Sequence, residues 1–357
     1  MVSNPAGLRY NQRFCMRNSL LQEKTAPARM GEYHGAHAAA VYTDVAREFD
    51  ALRTGAAVYE ATWRAKIVAT GEDRVRWLNG MITNNVRDLA VSRGVYSFVL
   101  NAQGRIQGDL IAFQRGDYIL LETDESQAES LTALFDRFII MDDVEIANVS
   151  EKLASIGVKG PKAAEVLREA GFPADLKALD VVDATWNGVG ISVACGASEQ
   201  FPEFEIWFAP EHTVAVWDAL VSAGAQPVGY EALELHRIAT GIPAFGQDIR
   251  ERDLPQETAQ SHALHFSKGC YVGQEIVERI HSRGNVHRGF TGFSLSQLVN
   301  SGTKLVRDGK EVGEITSVAE LPSKKIIALG YVRREAATSE LVAGDATAKV
   351  HPLPFEF

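Results

Sequence analysis

Cysteine is scarce in this chain. The 357 residues contain three, Cys15, Cys195 and Cys270, far apart and without a C-x-x-C pair. Three thiols cannot all pair with one another, and a reducing compartment fits best. Long apolar runs are missing as well. No window approaches roughly 18 consecutive apolar residues, so no membrane-spanning helix is expected. The N-terminal stretch MVSNPAGLRYNQRFCMRNSLLQEK is basic but lacks the apolar centre of a secretory signal. It reads as a frayed tail, which places the protein in the cytoplasm, with a targeting segment for the mitochondrial matrix as the alternative. An excess of basic charge is absent: Lys plus Arg is 36 against 46 for Asp plus Glu, a formal net charge of -10. General nucleic-acid binding is therefore not expected. No G-x-G-x-x-G or G-x-x-x-x-G-K-S phosphate loop occurs.

What is present is an alternation of short strands and helices. Lys66–Ala69, Val95–Leu100, Asp109–Phe113, Tyr118–Glu122 and Val144–Ala147 read as strands, with helices over Glu72–Asn79 and Ser126–Phe138. A second unit follows: a strand at Leu153–Val158, a helix over Lys162–Ala170, a hairpin of Gly190–Ala194 with Phe204–Phe208, and helices over Glu211–Ala223 and Tyr230–Thr240. Gly241 and Pro243 stop the last helix. After His287 the chain turns to short β-rich runs broken by Asn300-Ser301-Gly302, Asp308-Gly309 and Pro322-Ser323. That spacing predicts a small barrel or sandwich of about 70 residues. The expected fold class is α+β, with an N-terminal extension over 1–39, a body of tandem units over 40–286, and a C-terminal β-barrel over 287–357.

One segment carries the chemistry: Ser267-Lys268-Gly269-Cys270-Tyr271-Val272-Gly273-Gln274-Glu275, continuing helically through Ile276, Arg279 and Ile280. Gly269 and Gly273 flank the Cys–Tyr pair and allow unusual dihedrals or close backbone approach. Cys270 is expected just before a helix N-terminus with Lys268 two residues away, and both features favour a thiolate. A packed, inert thiol is the competing reading of a lone Cys. Cys195, at the end of a predicted strand, is expected to be packed. His262, His265, His281 and His287 gather near Cys270, but their spacings match no common zinc pattern, so no resident metal is expected.

The run KGCYVGQE, Lys268–Glu275, resembles the signature of the YgfZ-type folate-binding proteins. Arg237-Ile238 before Gly241-Ile242-Pro243, Leu254-Pro255-Gln256-Glu257, Arg279, Arg283-Gly284 and Arg288 extend the resemblance along the chain. It implies a factor for iron–sulfur enzymes in which the motif cysteine, here Cys270, is required as nucleophile or transient cluster ligand. It also implies assembly proteins or client enzymes as partners. The fold is shared with the aminomethyltransferase of glycine cleavage, whose YSxxLNxxG stretch Tyr96–Gly104 resembles, as Gly330-Tyr331-Val332 resembles its barrel. This implies a central channel holding tetrahydrofolate or another reduced folate. Arg237, Tyr96, Trp63, Asp109 and Glu205 are the residues it points to there. Paired aspartates follow the LNxxG stretch in the enzyme, and the first is its acid. The matching pair here is Gly108-Asp109. Glycine supplies no proton, and Asp109 is expected on the opposite side of its strand. The resemblance thus implies folate binding without aminomethyl transfer, the transferase or a demethylase being the alternative.

Overall fold

The computed structural model of the chain describes residues 20–357 apart from 199, 285 and 339; Cys15 lies outside the described residues. A first sheet runs in the order Gly94–Leu100, Ile106–Gln114, Ile119–Asp124, Arg64–Thr70, Glu145–Asn148, with every neighbouring pair antiparallel. In Ile106–Gln114 the residues Gly108, Leu110 and Ala112 are buried, while Asp109 and Ile111 between them are only half-buried; Ile106, beyond a shift of register, packs instead with Phe98, Leu100 and Tyr271. Successive side chains of a strand point to opposite faces. One face of the sheet is therefore sealed by the helices Arg74–Met81 and Glu125–Asp136, through Trp77, Leu78, Leu131 and Phe135. The other face is left to the interior.

A second sheet runs Val181–Trp186, Val189–Cys195, Glu203–Phe208, Ala154–Lys159, Ala57–Glu60, Gln226–Pro227, its last pair parallel. Helices Ala163–Glu169 and Thr213–Ser222 cover one face of it through Val166, Leu167, Val216 and Trp217. The two sheets meet where Phe113 and Leu120 pack against Val181, Ala194 and Trp207. The helix Tyr230–Thr240 follows and ends at Gly241, whose φ of 77° is the left-handed turn that a glycine stop supplies.

The body begins earlier than the expected boundary at residue 40. Leu21 is fully buried in the core of the second sheet, and Arg29–Tyr33 pairs with Ala36–Val41 as a hairpin. Tyr33 of that hairpin stacks on Tyr230 with ring centroids 4.9 Å apart. The C-terminal strands, between Arg288 and His351, form a closed six-stranded barrel in which the first strand pairs with the last. Buried polar side chains bind it to the body: Ser317 of the barrel donates to Asp248 at 2.7 Å and accepts from Arg237 at 3.0 Å.

Candidate active site and the motif thiol

Between the two sheets, roofed by the Tyr230–Thr240 helix, lies a cavity of about 330 Å³. Tyr96, Asp109, Trp63, Glu205 and Arg237 all border it, so the five residues expected at a folate site are brought together. Asp109 faces into it, against expectation. The Tyr96 hydroxyl donates to Asp109 Oδ2 at 2.7 Å, and Gln127 Nε2 donates to Oδ1 at 2.9 Å. A Cβ added at Gly108 would instead meet Leu131 Cδ2 at 2.8 Å and Gln127 Oε1 at 2.9 Å, under the covering helix. Alternation along the strand lets only one of the two positions face the cavity, and that one is Asp109. An acid at position 108 would not reach the cavity, so Gly108 is no argument against proton chemistry there.

Burial, with Asp124 nearby, raises the Asp109 carboxyl above the usual carboxylate range against the pull of Gln127, Tyr96 and Arg64. A carboxyl shifted this way is suited to hold or take a proton nearer neutrality. Its neighbours are strongly paired. Arg64 donates to Glu122 through Nε at 2.8 Å and to Asp124 at 2.6 Å, and His34 Nδ1 sits 3.0 Å from Asp124. Burial pushes the Asp124 carboxyl up, but His34 and Arg64 outweigh it and hold the group below its ordinary value. Lys66, fully buried, donates to Glu205 at 2.7 Å, and the Trp207 indole donates to the same oxygen at 2.8 Å. Glu203 accepts from the Tyr59 hydroxyl and, at 2.9 Å, from Lys159. None of Tyr33, His34, Arg64, Glu122, Asp124, Lys159 and Glu203 was picked out from the sequence. A signal was present: Arg64 and Lys66 on one strand, and Glu122 and Asp124 on its neighbour, are two residues apart and so share a face.

Arg237 borders the cavity but is not free to bind a ligand. Its Nε donates to Glu234, one terminal nitrogen to Ile242 O and Asp248, and the other to Glu234 and Ser317. A guanidinium has five N–H donors, and all five are engaged. Its role is to tie helix, loop and barrel together. Arg237 thus stands at the expected place, on the border of the cavity, but with its donors spent on the protein itself.

The motif behaves as a clip. Lys268 is buried, and its ammonium donates to the carbonyls of Ile82 at 2.8 Å and Asn84 at 2.5 Å. Burial, with Arg87 nearby, draws that amine down to about 7. The contacts described for the amine are these carbonyls and, at 5.1 Å, the Tyr271 ring, so it anchors the loop and is not placed as a charge for the thiol. Tyr271 packs among Phe98, Leu100, Ile106 and Val277. Gln274 Oε1 accepts from the Tyr271 N–H at 3.3 Å. Gly273, at φ 84°, precedes the helix Gln274–Arg283, and a Cβ there would come 2.6 Å from Asn101 O. Between the buried anchors Lys268 and Tyr271, Gly269 and Cys270 are exposed, as is Glu275 in the first turn of the helix. Cys270 borders a cleft of about 840 Å³ with Asn101, Leu134, Arg137 and Phe138. Among the described residues none borders both this cleft and the central cavity. Cys195, expected to be packed, is half-buried at the rim of the central cavity. Among the described residues no three His, Cys, Asp or Glu side chains gather as a metal site.

Residues 21–268 match the family described as the GCVT N-terminal domain. The chain belongs to the GCVT family. An aminomethyltransferase of Rubrobacter xylanophilus is 28% identical over 95% of this chain and 94% of its own length. A chloroplastic protein of Arabidopsis thaliana, named as a transferase, is 25% identical over 86% of this chain and 72% of its own. The crystal structure of the glycine cleavage system aminomethyltransferase T from Bartonella henselae superposes with a TM-score of 0.84 over 94% of this chain and 96% of that one, at 22% identity. The fold expected from the sequence, tandem α/β units around a central cavity with a C-terminal barrel, is the fold of this GCVT protein. No helix among the described residues is long and apolar enough to cross a membrane.

Proposed function

We propose that this GCVT protein binds a reduced folate, such as tetrahydrofolate, in its central cavity and serves iron–sulfur cluster assembly or repair through Cys270. The cavity suits such a ligand. Trp63, Tyr59 and Tyr96 offer planar aromatic walls, and the carboxylates of Asp109, Glu122 and Glu205 offer acceptors for the N–H groups of a pterin. The observation that carries the second half is the exposure of Cys270 between buried Lys268 and Tyr271, outside the cavity. A thiol held there is reachable by a partner protein but not by a ligand at the centre. It suits attack on a partner's sulfur or iron centre, or one ligand position of a cluster in transit. Exposed Phe138, on the rim of the Cys270 cleft, gives a protein partner apolar surface to meet.

The deciding experiment is cellular. Cells carrying only Cys270→Ser should lose the activity of cluster-dependent enzymes, while the purified variant keeps its melting temperature and its affinity for tetrahydrofolate. Full enzyme activity in those cells would remove Cys270 from the function.

Asp109 favours a second reading, aminomethyl or methyl transfer within the cavity, in line with the named activity of the relatives. A bound folate supplies nitrogen atoms that accept a one-carbon unit. Asp109 then holds or takes the proton, Tyr96 and Gln127 fix its position, and the aromatic walls line the space beside it. On this reading Asp109→Asn lowers the rate of transfer to tetrahydrofolate by about 10²–10⁴. An intact protein without turnover on aminomethyl or methyl donors would leave the Cys270 reading alone.

A further inference from the structure

Beside the central cavity lies a smaller hollow of about 110 Å³. Lys159 and Phe201 border both spaces, so the hollow is a side chamber with Phe201 as its partition. Its lining differs from that of the main cavity, where acids stand beside Arg64, Lys159 and Arg237. Asp109, Glu122, Asp124, Glu203 and Glu205 border the cavity, whereas Arg53, Lys159 and His236 border the chamber and, among the described residues, no acidic side chain does. His236 is 2% exposed, and its Nδ1 has no hydrogen-bond partner. Phe201 and Phe357 hold the ring edge-on at 5.7 and 5.8 Å. Burial first, and the charge of Lys159 second, push the imidazole down to about 3, so the ring is neutral near pH 7 and carries one N–H. Glu203 takes one N–H of the Lys159 ammonium at 2.9 Å, and an ammonium has three.

A buried imidazole nitrogen without a partner, which donates when it carries the ring's one N–H, and a buried cation beside it suit an anion with acceptor oxygens. The size is restrictive. At about 110 Å³ the chamber has a third of the volume of the main cavity, so it suits a small group such as a carboxylate end. We propose that the side chamber is a carboxylate site, taking the acid group of a small organic acid or of the glutamyl end of the folate at His236 Nδ1 and Lys159 Nζ. The second source rests on the folate half of the proposed function; the first does not.

The test uses the full chain with four probes: acetate, propionate, tetrahydrofolate, and tetrahydropteroate, which lacks the glutamyl carboxylates. Calorimetry compares the natural protein with His236→Phe, which fills the chamber, and with Lys159→Met. If the site takes small acids, acetate or propionate binds and both variants bind it at least tenfold more weakly. If it takes the glutamyl end, both variants lose at least tenfold for tetrahydrofolate and nothing for tetrahydropteroate. Nuclear magnetic resonance of the His236 ring in the natural protein gives a readout independent of folding of the variants: the carboxylate probe that binds shifts the ring signals. Affinities that are equal in natural protein and folded variants, or ring signals unmoved by every probe, overturn the proposal. Failure of tetrahydrofolate to bind at all would instead overturn the folate reading and leave the small-acid arm decisive.

Discussion

Asp109 and Arg237 exchange the roles that their residue types suggest. The acid faces the cavity in a raised state, and the cation beside it is consumed by structural partners. The raised carboxyl has a consequence for stability. The folded protein keeps that proton in the window above the ordinary aspartate value of about 3.9, where the unfolded chain has released it. The folded state binds more protons there, so stability falls as pH rises through the window. Asp109→Asn removes this dependence. The variant should gain stability over the natural protein as pH climbs out of the acid range, and the gain should vanish below about pH 4. Urea unfolding across pH reads it; a difference independent of pH would refute the assignment. For Arg237 the expectation runs the other way. Arg237→Ala leaves Asp248, which is fully buried, without its cation. Breaking such a pair costs about 3–5 kcal/mol. The midpoint of urea unfolding should drop accordingly, while the folded fraction keeps its affinity for tetrahydrofolate. A Tm that does not move would contradict the hydrogen-bonding described.

Among the elements, the helix Gln274–Arg283 depends most on single residues. Gly273 sits at φ 84° with Asn101 O in the space of a side chain. Gly273→Ala should cost at least the roughly 1–2 kcal/mol of a left-handed non-glycine residue, read as a lower Tm, and should loosen the presentation of Cys270. Helices and barrel strands were legible because their periodicities and turn residues are local. The Tyr230–Thr240 helix stops at Gly241 where the sequence places it. The hairpin of Val181–Trp186 with Val189–Cys195 was not read as one, although Asn187-Gly188, both at positive φ, is a strong turn signal. Its first strand has no apolar run beyond Val181-Val182 to mark it. Ala36–Val41 was missed because alanine carries little strand signal. At the site, the exposure of Cys270 followed from its glycine-flanked motif. The engagement of Arg237 did not, since Asp248 and Ser317 lie 11 and 80 residues away in sequence. The side of the strand taken by Asp109 rested on register, which one step reverses.

At the scale of the molecule, the cavity and the Cys270 cleft draw on different residues of the hairpin of Gly94–Leu100 and Ile106–Gln114. The cavity borders Tyr96 and Asp109, and the cleft of Cys270 borders Leu100 and Gln107. With no lining residue shared among those described, the two should act independently. Iodoacetamide should alkylate Cys270 equally fast with and without saturating tetrahydrofolate, and Asp109→Asn should leave that rate unchanged. Protection of the thiol by folate would mean that the two surfaces are coupled. The barrel, in contrast, is not an independent appendage, because Ser317 and Thr316 complete the buried shell of Asp248.

At Gly108 the covering helix packs close on the sheet, leaving no room for a side chain. Gln127 Oε1 lies 2.9 Å from where a Cβ would stand, and the same amide both accepts from the Asp109 N–H and donates to the Asp109 carboxyl. The missing side chain is therefore a set-screw on the cavity acid, reached from the far side of the sheet. Aspartate at 108 would not restore a second acid to the cavity. It would wedge Gln127 away, strip Asp109 of a donor and tighten that carboxyl's grip on its proton.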